Sequence, residues 1–238
     1  MLIRFAIRLG LRNKQRFLRV LAKIEFGVAI FCFKLQYQAL AENLLNLATM
    51  LEMHGKEENK HGKMLASLAD GCNDRIALTE NSGRWIKITR PSGETIVNRP
   101  DDNTAIPKCI TWASYKFPGE QLTGLFENFD GISKRYISAR LLFGNLAASD
   151  YPWEDKIAFM YVLEEATASF YQELMKCDDS ALSAIARQII TDEFNHANYL
   201  KLALANFAPI PQFAIDKWHS RLWWARWGLI IDIIRFLK

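Results

Sequence analysis

The residues of this sequence best suited to chemistry are Glu25, the pair Glu58-x-x-His61, Glu164, and the pair Glu193-x-x-His196. Glu-x-x-His puts a carboxylate and an imidazole on one face of a helix, because residues three apart lie one turn above each other. Two such helices, with one inward glutamate from each of two others, supply four carboxylates and two imidazoles. That is the donor set of a carboxylate-bridged two-metal site, in which each cation takes an imidazole and the carboxylates balance the charge of the pair. Two iron ions suit it, and the same donors accept manganese in one or both positions.

Such donors must be carried by helices with apolar faces. Four long helices are expected, over about 13–41, 47–70, 151–177 and 180–206. On the first, Leu18, Leu21, Glu25, Val28, Cys32 and Leu35 share a stripe; on the second, Leu47, Leu51, His54, Glu58, His61 and Leu65 do so. On the third the stripe is Ile157, Met160, Glu164, Ala168 and Tyr171, and on the fourth Ile185, Ile189, Glu193, His196 and Leu200. Each candidate ligand stands where an apolar residue belongs. A buried carboxylate or imidazole is costly unless it is paired or binds a metal. Solvated surface residues, the alternative reading, would not fall on these stripes.

In an antiparallel pair, residues at equal depth flank a turn near their midpoint. For Glu164 and Glu193 the midpoint is about residue 178, inside the polar Cys177-Asp-Asp-Ser180 break; for Glu25 and Glu58 it is about 41–42, beside Glu42-Asn43. Asp150-Tyr-Pro152 reads as the capped start of the third helix. Glu165 is the alternative to Glu164, on the weaker apolar path of Ala158, Tyr161 and Gln172.

The fold class expected is therefore mainly all-α: one domain over 1–238 built on a four-helix bundle. An insertion at 71–149 separates the second and third helices. It contains a small β-hairpin between Arg84 and Val97 and one or two short helices near 120–145. A C-terminal amphipathic helix is expected over 212–237. The composition, 50% hydrophobic and 24% charged, is that of a globular chain, and a net charge of +4 gives no reason to expect nucleic-acid binding. Cys32, Cys72, Cys109 and Cys177 stand alone, so no CxxC pair can hold zinc or a rubredoxin-type iron. No signal peptide or run of about 18 apolar residues stands out, and a cytoplasmic location with reduced thiols is expected.

Glu58-Asn-Lys-His61 and Asp192-Glu-Phe-Asn-His196 resemble the paired metal-binding signatures of the ferritin-like superfamily, in its rubrerythrin-like and di-iron oxidase-oxygenase branches. Glu164-Glu-Ala-Thr-Ala-Ser-Phe-Tyr171 is similar to the third-helix segment of rubrerythrin-like proteins, which favours Glu164 as the ligand. The resemblance covers roughly 15–70 and 150–206. It implies a di-iron protein that activates dioxygen or peroxide, draws on an external electron donor and oxidises an organic substrate. Rubrerythrin-like peroxide reduction or ferroxidase activity is the alternative, and a non-enzymatic metal-binding module is a third. The connection of some 80 residues exceeds the family's usual crossover, and the absent cysteine centre excludes a full rubrerythrin.

Around the ligands, Asp192 and Glu57 are the carboxylates placed to accept the outer N–H of the two histidines; solvent exposure is the alternative for Glu57. His54, one turn before Glu58, either borders the site or is a hydrogen-bonded core histidine. Tyr171 and Tyr199 read as core aromatics near it. At the chain's ends, Arg4, Arg8, Arg12, Arg16 and Arg19 form a basic stripe, and Trp218, Trp223, Trp224 and Trp227 precede an apolar segment. Such ends either pack on the bundle or make peripheral contact with a membrane surface, which would suit a lipophilic substrate. A homodimer is compatible with the sequence.

Overall fold

The computed structural model describes residues 2–70, 86–89, 95–98, 137–144, 146 and 148–237. Helices dominate them: α1 Leu2–Leu11, α2 Lys14–Ala41, α3 Leu45–Ala69, α4 Ile137–Phe143, α5 Trp153–Leu174, α6 Ser180–Leu204 and α7 Pro211–Leu237, with a 3-10 turn at Ala148–Asp150. Two short strands, β1 Ile86–Thr89 and β2 Thr95–Asn98, pair antiparallel with Ile86 opposite Asn98. Most of the segment 71–149, including the connection between those strands, lies outside the described residues.

Helix limits follow local chemistry. α2 starts at its cap Asn13, as the expected helix over about 13–41 does, with the Asn13 side chain accepting the Arg16 N–H at 3.3 Å; the basic stripe therefore runs over two helices. Just past the end of α2, Asn43 takes a positive φ of 61°. The Leu44 N–H then reaches back to the Ala39 carbonyl at 2.8 Å, closing the helix with a left-handed residue that asparagine tolerates. Between α5 and α6, the Asp179 carboxylate accepts the Leu182 N–H at 3.0 Å and caps α6. The start of α5 differs from expectation: Pro152 is its cap residue and no side chain bonds there, while Asp150 sits in the preceding 3-10 turn. Proline fixes φ at −61°, near the helical value, and so pre-orders the entry into α5.

α2 lies against α3, α5 against α6, and α3 also meets α6. Close approach of α2 and α3 depends on Gly55 and Gly62: a Cβ at either would come within 2.7 Å of the ring of Phe33 or Phe26. A glycine inside a helix costs about 1 kcal/mol, and here it gives two rings of α2 a flat surface.

The helix ends are tied by polar contacts. Trp153 Nε1 donates to Glu42 at 2.6 Å, setting the start of α5 beside the α2–α3 turn. At the other end Lys14 pairs with Asp179, Arg19 with Asp70 at 3.1 Å and Arg4 with Glu173 at 2.7 Å. α3 therefore ends at the opposite end of the molecule from the start of α5.

Among the described residues the core has two large parts, with Ala29 and Phe33 as a small third. One gathers Val28, Cys32, Leu35, Leu51, Met160 and Leu200; the other gathers Leu18, Leu21, Leu65, Tyr171, Leu182 and Ile189. Between them lies a layer of buried Glu and His.

α7 docks through Trp218, which is 1% exposed and donates from Nε1 to Asp155 at 2.8 Å. Lys217 Nζ reaches both oxygens of Asp155, at 2.7 and 2.8 Å. Further along, a Cβ at Gly228 would strike the backbone of Ser138 at 2.7 Å, so α7 and α4 touch main chain to main chain. Trp223, Trp224 and Trp227 are exposed, and the ring of Trp223 contacts those of both Trp224 and Trp227. Among the described residues no helix is long and apolar enough to cross a membrane.

Candidate metal centre

Each helix of the layer sends its polar residues inward at the level where its apolar stripe is interrupted. α2 contributes Glu25, α3 contributes His54, Glu58 and His61, α5 contributes Glu164, and α6 contributes Glu193 and His196; all are buried. They form two overlapping groups, each with its ligand atoms within 4.8 Å of one another. One is Glu25, Glu58, His61 and Glu193; the other is His54, Glu58, Glu164 and His196. Either group could hold a metal ion.

Glu58 belongs to both, and its two oxygens are divided between them. Oε1 lies 3.2 Å from His196 Nδ1 and 3.3 Å from His54 Nε2. Oε2 lies 3.8 Å from His61 Nδ1, a nitrogen that is also 3.5 Å from Glu193 and 3.9 Å from Glu25. Glu164 completes the second group, 3.4 Å from His54 Nε2 and 3.7 Å from His196 Nδ1.

The inner atoms are short of partners. His54 Nε2, Glu58 Oε1, His61 Nδ1, Glu164 Oε2, both oxygens of Glu193 and His196 Nδ1 are buried without a hydrogen bond. Leaving a buried polar group unsatisfied costs about 1–3 kcal/mol, more if it is charged. All of these atoms face the same layer and all are carboxylate or imidazole donors, so the residues fit a cation that would satisfy them together.

The outer nitrogens are fully engaged. His61 Nε2 donates to Asp192 at 3.0 Å and His196 Nε2 donates to Glu57 at 2.7 Å. The pattern is crossed: the carboxylate from α6 holds the imidazole of α3, and the one from α3 holds that of α6. Each ring is thereby turned so that Nδ1 faces inward.

Electrostatics of the layer without metal show what it needs. Burial, followed by the charge of Glu58, pushes the Glu25 carboxyl well above the ordinary carboxylate range. Burial and the charges of Glu58 and Glu164 do the same to Glu193. Burial would also raise Glu58, but the nearby imidazoles of His196, His54 and His61 outweigh it and hold Glu58 well below that range. For Glu164 burial is likewise overcome, by the charge of His54 and by the neighbouring Glu193 carboxyl and His196 imidazole, which bring it down to about 2. Burial and His54 would lower His196, yet the neighbouring Glu164 carboxylate, the bond to Glu57 and the neighbouring Glu58 push it up to about 10. Four buried carboxylates cannot all stay ionised side by side, so protons take the place of positive charge.

All six residues expected from the sequence as ligands, Glu25, Glu58, His61, Glu164, Glu193 and His196, are brought together. Glu165 points away, accepting from Tyr161 OH at 2.6 Å and lying 3.2 Å from His219, because one residue along a helix turns the side chain by about 100°. Asp192 and Glu57 stand against the histidines. Tyr171 OH donates to Glu25. His54, read from the sequence as bordering the site or as a core histidine, lies within one of the two groups. The signal for it was present, since His54 and Glu58 are four apart on one helical face.

Compared with known protein families, curated proteins and solved structures, the chain matches none.

Proposed function

We propose that this chain is a ferritin-like four-helix-bundle protein whose central layer holds two iron ions and activates dioxygen or peroxide, as an oxidase or oxygenase of an organic substrate. The observation that carries the reading is the pair of overlapping donor groups joined by Glu58, with unpartnered atoms converging from four helices. Chain path supports it too. α3 ends at the opposite end of the molecule from the start of α5, an arrangement that suits ferritin-like folds with one long crossover.

When bound, two ferrous ions would supply the electrons with which dioxygen or peroxide is reduced. The protein's own residues do the rest. Glu58 turns one oxygen toward each donor group, and Glu193 would complete the group of Glu25 and His61. Asp192 and Glu57 hold His61 and His196 with Nδ1 inward. Tyr171 keeps a phenolic proton against Glu25, where burial raises the phenol well above its usual value. The apolar clusters on either side exclude bulk water from the layer.

The test is anaerobic loading with ferrous iron followed by oxygen. Binding of two irons per chain, and a rapid ferrous-to-ferric absorbance change, are expected; failure to bind two would sink the reading. Turnover of hydrogen peroxide without an organic substrate would instead favour a peroxidase, and iron oxidation with release of mineral a ferroxidase. The exposed Trp223, Trp224 and Trp227 favour a lipophilic substrate taken from a membrane surface, since indole rings suit the interface. Co-sedimentation with anionic vesicles is expected, and its absence removes this part. Of the N-terminal arginines, Arg4 and Arg19 are engaged with Glu173 and Asp70, so α7 supplies the exposed aromatic surface.

A further inference from the structure

A metal-ligating histidine has a recognisable pattern of bonds: one ring nitrogen is held by an outer partner, and the other points into the site with nothing to bond. Three histidines of the layer show it. His61 and His196 are held at Nε2 by Asp192 and Glu57 and present Nδ1 inward. His54 is the mirror case: Nδ1 is held by Tyr199 OH at 2.7 Å, and Nε2 is buried, unbonded, and 3.3–3.4 Å from Glu58 and Glu164. Its ring stacks on that of His196 with centroids 3.8 Å apart, so Nε2 of one and Nδ1 of the other address the same space. A core histidine needing only a hydrogen bond would have been satisfied by Tyr199 alone.

We infer that His54 is a seventh ligand, through Nε2, and that it makes the two metal positions unequal in kind. One position is then built from His54, His196, Glu58 and Glu164, with two imidazoles. The other is built from His61, Glu25, Glu58 and Glu193, with one. This rests on the two-metal reading of the layer and adds to it a chemical difference between the positions. Imidazole favours the later divalent metals, whereas a carboxylate-rich set accepts manganese. The nitrogen-rich position therefore fills first with Fe(II) or Co(II), and the carboxylate-rich one fills second and discriminates less against Mn(II). The outer partners differ in the same sense. His61 and His196 lean on carboxylates, while His54 leans on a neutral phenol and is the weaker donor of the three.

Co(II) tests this without reference to activity. In the intact protein loaded with two equivalents, paramagnetic proton NMR reads the exchangeable outer N–H of each ligated imidazole. Three such shifted resonances are expected, and two would overturn the inference while leaving the two-metal reading intact. Uptake of fewer than two equivalents would instead remove the two-metal reading itself. In titrations the wild type should bind Co(II) in two unequal steps, with Mn(II) displacing only the weaker. Loss of an outer partner alone costs about 10–100-fold in metal affinity, so His54→Gln should weaken the tighter step by about a hundredfold and leave the other within a few-fold. Tyr199→Phe, which keeps the ring's packing, should weaken the same step by about tenfold. Equal steps in the wild type, or an unchanged tight step in both variants, would overturn the assignment.

Discussion

Two buried carboxylates of this molecule, Asp155 and Glu193, have opposite surroundings. Asp155, at the contact between α5 and α7, accepts from Lys217 and from Trp218 and has no unmet oxygen. Glu193, in the central layer, is fully buried and neither of its oxygens has a partner. The first belongs to the architecture: its charge is compensated by residues of the chain itself. The second is left uncompensated by the chain and draws protons in place of a cation. A buried charge whose partners are all present indicates a structural tie; one surrounded by further unpaired donors of metal-binding type indicates a site.

The comparison can be broken most forcefully at Asp155. Replacing it with alanine leaves the buried Trp218 N–H without an acceptor and Lys217 without its counter-charge. That should cost about 3 kcal/mol in denaturant unfolding, with or without metal. Glu193→Gln should behave the other way round. The metal-free protein should be no less stable, because a carboxyl already held protonated by burial is replaced by a neutral isostere. Metal affinity measured by Co(II) titration should fall about a hundredfold, equivalent to about 2.7 kcal/mol. A Glu193→Gln protein that unfolds as readily as Asp155→Ala would erase the distinction.

A smaller effect is expected one step outward. Asp192→Asn and Glu57→Gln keep the size of each outer partner but remove its charge, and each should lower metal affinity about 10–30-fold without changing stoichiometry. Of the two, Asp192→Asn should act on the position containing His61, and Glu57→Gln on the one containing His196.

The smallest is a pH effect. In the metal-free protein Glu25, Glu193 and His196 hold protons more tightly than in the unfolded chain. Their contribution to stability is therefore complete at low pH and is lost as pH rises, for His196 between 6.5 and about 10. Metal ions displace those protons, so metal binding strengthens over the same range. The gain in melting temperature on adding Co(II) should grow steadily from pH 6.5 to 9, and a gain that shrinks would contradict the protonation pattern. Glu164 contributes in the opposite sense, its share being lost as pH falls below 4.5 towards about 2.

The sequence made the layer legible because helical spacing is strict: a ligand that must face inward has to fall at the same 3/4 interval as Leu51 and Leu65, or Ile189 and Leu200. The turns at Asn43 and Asp179 could be read from the requirement of equal depth. His54 was harder to place, because a ligand set of four carboxylates and two imidazoles looked complete without it, and a seventh member changes no spacing. What a ring nitrogen bonds to is a tertiary fact, and Tyr199 stands 145 positions away in the chain. The start of α2 at Asn13 agrees with the helix expected from about residue 13, even though the arginine spacing runs on through Arg12 and Arg16. Pro152 as the cap of α5 was overlooked because an aspartate two residues earlier has the commoner capping chemistry.

The contact of Gly228 with Ser138 has a consequence for the order of events during synthesis. α4 leaves the ribosome some 90 residues before the stretch of α7 that lies against it (138 to 228). At about 5–20 residues per second that is a delay of roughly 5–20 s, long beside the microseconds in which a helix forms. For that interval the segment preceding α5 lacks the helix it will rest on, while α5 and α6 can already be closing on α2 and α3. The central layer can thus be assembled before its flank is sealed.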